Sequence, residues 1–417
     1  MRQDSGFRSQ KIDVALAKVV AAIDRQNLSA HVSVVDGEVS AAFVDLWQEG
    51  VEITSGMGKG APLEALTGAY FESLEHFATL GQRHKHGYEI FRPSEFFAAD
   101  PRLAGDRALQ ILADVPGIPV SCTTLTCLLS EQDVLYPAFL TDPHFDPVRP
   151  ELDLASRQHM ASARRYSSNS GAAIGGSEDE AILHGINEVV ERDILSRALA
   201  ARAFSLFNEI GQLLIESLPK ELRLMVEAAA EATGTELAVL YLSRARELPT
   251  FLILGDTDDE PAYQGSGSCL CPFRALRRAV TEYVQFAKAY ERRPKTRTFL
   301  KQVATRMSNY KRLQPVVTPR WPHLGIGMHV RPIDFREICA GFAPVTPERI
   351  PDNVPECLAV TLDVVQKSYT TILTGTIAEF GDDIVVKQVV IPQADRFFLV
   401  TSGMPVIPNT RHCQLAS

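Results

Sequence analysis

The sequence predicts an α/β fold of helices layered on strands, and three observations carry that expectation. Short blocks rich in β-branched and aromatic residues alternate with long stretches whose apolar residues recur at helical spacing. The 417 residues are 45% hydrophobic and 22% charged, which describes a chain that folds around a buried core. No repeat of fixed period and no low-complexity tract interrupts the pattern.

Residues 12–26 (IDVALAKVVAAIDRQ) have helical apolar spacing, and HVSVV (31–35) and AAFVDLW (41–47) read as strands around the turn DGEV. A second amphipathic helix spans 62–80, opened by Pro62 in its first turn. Residues 86–150 are irregular and rich in Pro and Asp, with short strands near 119–129 and 134–140. A third helix runs from Ser177, where SEDEA resembles a capping box, to about Ala200. LAVLYL (237–242) and FLILG (251–255) are strands, and 271–290 is a fourth long helix. Residues 291–350, dense in charge and proline, are expected to form a mobile insertion. The remainder alternates one more helix with the strands TILTGTI, DIVVKQVVI and FFLVTSG.

With 42 Lys and Arg against 51 Asp and Glu, the net charge is −9, which argues against a general nucleic-acid backbone binder. The opening MRQDSGFRSQK has no apolar region of a secretory signal, and no apolar run approaches the roughly 18 residues a membrane span requires. Seven cysteines without a CxxC pair read as reduced thiols of a cytoplasmic protein.

The chemistry lies in acids on helices that otherwise look buried. In EAILHGINEVVERDIL (180–195), Glu180, His184, Glu188 and Glu191 are spaced 4, 4 and 3 and fall within an arc of about 80°. LTGAYFESLEHF sets Glu72 and Glu75 at i,i+3 with His76 next, and the fourth helix aligns Arg278, Glu282 and Gln285. Carboxylates on one stripe repel each other unless they face water or a cation. Hard oxygen ligands of this kind suit Mg²⁺, usually bound together with substrate phosphates, to which Lys59, Arg192 and Arg278 would offer positive charge. A solvated acidic face has the same spacing, so the pattern by itself leaves both readings open. GMGKG lacks the spacing and the following Ser or Thr of a Walker A loop, and GSGSC does not fit GxGxxG.

Taken in order, these segments resemble the YcaO family. SGMGKGAPLEALTGAYFESLEHF (55–77) is similar to its GKG segment and ExxER helix, SNSGAAIGGSEDEAILHGINEVVERD (168–193) to its SNG-AAGNT-EEA-hG-E-ER pattern, and CPFRALRRAVTEYVQ (271–285) to its P-ALxRAxTExxQ element. The resemblance implies a YcaO-type fold with an ATP and Mg²⁺ site between acidic helices and no P-loop. Residues 1–50 would belong to that fold as an N-terminal helix and strands, and 51–417 would be the catalytic domain, its motifs within 55–285. Glu72, Glu75, Glu188 and Glu191 would hold magnesium and Glu180 metal or nucleotide. Lys59, His76, Arg192, Arg278, Glu282 and Gln285 would contact ATP.

The implied activity is a cyclodehydratase of ribosomally made peptides, as in thiazole/oxazole-modified microcins and related antibiotics. A Cys, Ser or Thr side chain attacks the preceding carbonyl, ATP phosphorylates the amide oxygen, and loss of phosphate leaves an azoline. Thioamide formation and a non-catalytic scaffold are the alternatives. The chain shows no obvious leader-binding domain, so an E1-like partner is expected to deliver the precursor peptide. A flavin-dependent azoline dehydrogenase and a homo- or hetero-oligomer complete the implied assembly, with no nucleic acid or membrane. Departures from the pattern are His76 at an arginine position, Gly176 at an asparagine and Gly68 at a serine. The polar ending after Pro405 and Pro408 is a further departure, because many azoline-forming members end in a proline-rich tail.

Overall fold

The structure, a computed structural model, describes residues 8–82, 90–147, 151–206, 208–256, 263–321, 323–325, 328–342, 351 and 353–409. The last part of the polar ending, Thr410–Ser417 with Cys413, lies outside them.

The chain opens with α1 (Ile12–Arg25) and an antiparallel meander of β1 (Ser29–Val35), β2 (Ser40–Gln48) and β3 (Val51–Gly60), followed by α2 (Pro62–Phe77). Next come β4 (Ile90–Pro93), α3 (Glu95–Ala99), α4 (Arg107–Ala113), β5 (Pro119–Cys127), β6 (Asp133–Pro137), α5 (Leu154–Arg164), β7 (Ala172–Gly175) and α6 (Glu178–Phe204). The following stretch contains β8 (Glu209–Leu213), α7 (Lys220–Thr233), β9 (Glu236–Tyr241), β10 (Thr250–Asp256), β11 (Gln264–Ser268) and α8 (Pro272–Arg292). The chain then runs through α9 (Pro294–Met307), α10 (Gln314–Val317), β12 (His329–Ile333), α11 (Phe335–Gly341), α12 (Val354–Val365), β13 (Leu373–Glu379) and β14 (Val385–Val390).

These strands make three sheets: β1-β2-β3, β11-β10-β9-β8-β12, and β4-β5-β13-β14-β7 with β6 paired to β5. Each acidic helix is wedged between two of them. Helix α2 packs on β3 and β7, α6 on β7, β14 and β11, and α8 on β11 and β3. Three sheets and three helices therefore alternate around a ring. Helix α6 is apolar on most of its circumference because one core cluster joins its Ile186, Val190 and Ile194 to residues of both larger sheets, among them Val389 and Leu252.

Two stretches differ from the sequence expectation. The described part of 291–350 contributes β12, paired in parallel with β8, and buries Val303, Met307, Val316 and Leu324 in the main core. FFLVTSG is no strand: Phe397–Ser402 is a 3₁₀ helix whose first four residues are all buried. A short apolar run does not separate the two forms by periodicity. Here side chains take up the first amides, since Asp395 accepts from the Phe397 N–H and Ser196 from that of Phe398.

Candidate functional site

Two glycine-bearing strands seat two of the acidic helices. On β3, Gly56 and Gly58 face α2, and a Cβ on Gly58 would lie 1.7 Å from the Ala65 carbonyl oxygen. On β11, Gly265 and Gly267 face α8, and a Cβ on Gly265 would lie 2.2 Å from the Ala279 carbonyl oxygen. Only glycine allows such an approach of helix backbone to strand backbone. GMGKG and GSGSC are thus docking strands, and Lys59, next after Gly58, and Ser266, between Gly265 and Gly267, emerge on the opposite faces.

Those two side chains meet the acids. Lys59 Nζ is 2.5 Å from Glu282 Oε2 on α8. Ser266 Oγ donates to Glu191 Oε1 on α6 at 2.5 Å, and the Ser266 N–H reaches Glu282 Oε1 at 3.4 Å. Burial alone would raise the Glu282 carboxyl, but the charge and hydrogen bond of Lys59 hold it below its ordinary value. Glu191 has a hydroxyl rather than a cation as its hydrogen-bond partner. Burial and the negative charge of Glu282 push it up to about 7.

On the seam between α2 and α6, burial raises Glu75 well above the carboxylate range, and the charges of Glu188 and Glu72 raise it further. One Glu75 oxygen accepts the Ile174 N–H at 2.9 Å. Glu72 is raised by burial, eased by His76 and Lys59. Glu188 accepts from the Gly171 N–H and pairs with Arg192 at 2.9 Å. His76 holds the Ser55 carbonyl at 2.7 Å through Nδ1 and stands 3.9 Å from Glu72 through Nε2.

Glu180 is differently engaged. Its Oε2 accepts from the Ser9 N–H at 3.0 Å, the Ser9 hydroxyl at 2.7 Å and the Gly176 N–H at 3.3 Å. The capping box is therefore half formed: Ser177 accepts the Glu180 N–H, while the carboxylate turns to Ser9 and Gly176. Burial lowers His184 to about 4, with Arg278 and Arg8 adding to the effect, so its imidazole is neutral at pH 7. Arg278 Nε is buried without a hydrogen-bond partner among the described residues. Gln285 is buried one turn beyond Glu282, and among the described residues no hydrogen bond ties it to the cluster.

Three site residues carry no chemical signal in the sequence reading. Ser266 and Ser9 are small hydroxyls brought in from remote segments. Asn187 lies on the same stripe as Glu180, His184 and Glu191, is 3% exposed, and its Oδ1 is buried and unpaired among the described residues. Its i+7 spacing from Glu180 was the available signal.

The donor set fits Mg²⁺ and a nucleotide. Carboxylates driven toward the neutral form lack positive charge, and a buried guanidinium N–H without an acceptor lacks an anionic oxygen. Among the described residues no three His, Cys, Asp or Glu side chains form a ready-made metal cluster.

The family model for YcaO cyclodehydratases, described as ATP- and Mg²⁺-binding, matches residues 57–394. The chain belongs to the YcaO family. ATP and Mg²⁺ are accordingly its cofactors. No curated protein sequence matches it. Its fold is similar to that of YcaO from Methanopyrus kandleri bound with AMPPCP and Mg²⁺, at a TM-score of 0.63 and 16% identity over 98% of each chain. A heterocyclase in complex with substrate and cofactor aligns at a TM-score of 0.64 and 18% identity, over 93% of this chain and 53% of that one. The heterocyclase TruD aligns at 0.50 and 16%, over 80% and 47%. This YcaO chain thus spans about half the length of the two heterocyclases. Among its described residues no helix is long and apolar enough to cross a membrane.

Proposed function

We propose that this YcaO protein is a cyclodehydratase that converts Cys, Ser or Thr residues of a ribosomally made precursor peptide to thiazolines or oxazolines. The observation that supports it most is the charge coupling of Glu75 with Glu72 and Glu188 across the α2–α6 seam, with Glu191 and Glu282 coupled beside Lys59 and Arg278. When bound, ATP with Mg²⁺ supplies the phosphoryl group that turns the amide oxygen into a leaving group.

The chain's own part is to hold and neutralise. Glu72, Glu75, Glu188 and Glu191 hold the metal, and Glu180 closes the metal or nucleotide end. Arg192 and Arg278 present N–H donors to phosphate oxygens, and Lys59 moves between Glu282 and the same oxygens. His76, Glu282 and Gln285 complete the nucleotide pocket. The neutral form of Glu191 keeps the site from accumulating repulsion before a cation arrives. An E1-like partner would deliver the precursor in a cytoplasmic complex, and a flavin-dependent dehydrogenase would oxidise the azolines.

Incubation of the chain with such a partner, a Cys- and Ser-rich precursor and Mg²⁺·ATP tests this by mass spectrometry. The expected result is loss of one water mass per ring, absent in Glu188→Gln. An unchanged precursor would overturn the reading, and a gain matching sulfur-for-oxygen exchange would replace it with thioamide formation.

A further inference from the structure

We propose that Phe398 is a positioning residue of the nucleotide site: its ring holds the Arg192 guanidinium where Arg192 meets both Glu188 and the incoming phosphates. The inference rests on the assignment of Arg192 to phosphate made above, and it adds a residue from a segment outside the three acidic helices.

The Arg192 guanidinium carbon lies 5.0 Å from the centre of the Phe398 ring. The same guanidinium donates to Glu188 Oε1 at 2.9 Å, and the Arg192 side chain is 33% exposed. It is thus clamped between an aromatic face and a carboxylate, with part of it open. An unrestrained arginine samples many rotamers, and ordering it on binding weakens affinity. A cation over an aromatic face offsets part of that cost before ligand arrives.

Phe398 is itself fixed by a buried clasp on the next turn of α6. Asp193 Oδ1 accepts the Asp395 N–H at 2.6 Å, and Ser196 Oγ donates to the Asp395 carbonyl at 3.1 Å while accepting the Phe398 N–H at 2.8 Å. The Tyr369 hydroxyl donates to Asp193 Oδ2 at 2.5 Å, and Asp395 Oδ2 accepts the Asn409 N–H at 2.7 Å. Arginine, clasp and ring therefore hang on one stretch of helix, residues 192–196. Beside them is a cavity of about 20 Å³ lined by Arg192, Phe398, Ser168 and Ser170. It has room for about one water. Removing the ring face enlarges this space and gives the guanidinium somewhere else to go.

The test is calorimetric titration of the full chain with Mg²⁺·ATP. Phe398→Leu keeps an apolar side chain but no face, and is expected to weaken affinity about fivefold to twentyfold while keeping the parent's cooperative melting. Phe398→Tyr keeps the face and is expected to bind within about twofold of the parent. Arg192→Gln should lose at least as much as Phe398→Leu, and in the double variant the two losses should not add. Parent-like affinity in Phe398→Leu beside a weakened Arg192→Gln would overturn the positioning role, as would equal losses in the Leu and Tyr variants or fully additive losses. Parent-like affinity in Arg192→Gln would overturn the Arg192 assignment itself, and the inference with it.

Discussion

The β3–α2 and β11–α8 units are built alike and charged differently. In each, two glycines let a helix backbone lie on a strand, and a residue next to one of those glycines projects from the opposite face. On β3 that residue is Lys59, a cation already matched to Glu282. On β11 it is Ser266, a neutral donor that leaves Glu191 at about 7. The protein thus compensates the acid on α8 from within and leaves Glu72 and Glu75 of α2 and Glu191 of α6 short of positive charge. The proposed function puts the metal at the deficient seam and the Lys59–Glu282 pair on the nucleotide side.

The shared architecture breaks most severely at the close approaches. Gly58→Ala and Gly265→Ala each drive a methyl into a carbonyl and should cost at least about 3 kcal/mol or abolish folding, seen as loss of a cooperative denaturant transition. Gly68→Ala is the control on the facing helix surface, because its Cβ would stand 3.5 Å from Gly58. It should be neutral or gain up to about 1 kcal/mol of helix propensity. The metal assignment is sharpened by Glu75→Gln against Glu282→Gln. The first should lower ATP turnover about 100-fold and raise the Mg²⁺ requirement, and the second should affect ATP affinity more than Mg²⁺ dependence.

The acidic helices were legible because i,i+3 and i,i+4 spacing survives translation into space without knowledge of the rest of the fold. The glycine strands were not. Gly56, Gly58, Gly265 and Gly267 lower β propensity, and what places them in sheets is tertiary packing by helices whose position no local pattern states. The same limit hid Ser9, whose partner Glu180 is 171 residues away. Asn187 was within reach, since it shares the stripe of Glu180 and Glu191, but a single amide among acids attracts no notice until its carbonyl is seen to lack a partner. Phe398 fell in a short apolar run that reads as a strand but forms a 3₁₀ helix, and its proposed role depends on a clasp made by Asp193 and Asp395.

Ligand-free stability should carry the mark of the charge deficit. Glu191 is raised from 4.5 to about 7, so the fold favours its neutral form. Its contribution is fully present below the unfolded value near pH 4.5 and is lost as pH rises through about 7, roughly 3 kcal/mol in all. Glu72 and Glu75, also raised, act in the same direction. Denaturant midpoints should therefore fall between pH 5 and pH 8, less so in Glu191→Gln, and saturating Mg²⁺·ATP should restore more stability at pH 8 than at pH 5. A flat profile would place Glu191 in contact with compensating charge.

The finest contrast is between the two strand residues themselves. Lys59→Met strands the half-buried Glu282 without its cation. The pair is partly open, with side-chain exposures of 23% and 36%, so the loss should stay at about 1–2 kcal/mol. Ser266→Ala removes one hydroxyl donor from Glu191 and should cost about 1 kcal/mol or less at pH 5, where Glu191 is largely protonated and can rotate to another acceptor. At pH 8 the Ser266 loss should grow, because the ionised carboxylate needs the donor, whereas the Lys59 loss should stay level across that range. Paired melts of the two variants at both pH values read this directly. Parallel pH profiles would mean that the two strands deliver the same kind of compensation, and that the asymmetry assigning the metal to the α2–α6 seam is absent.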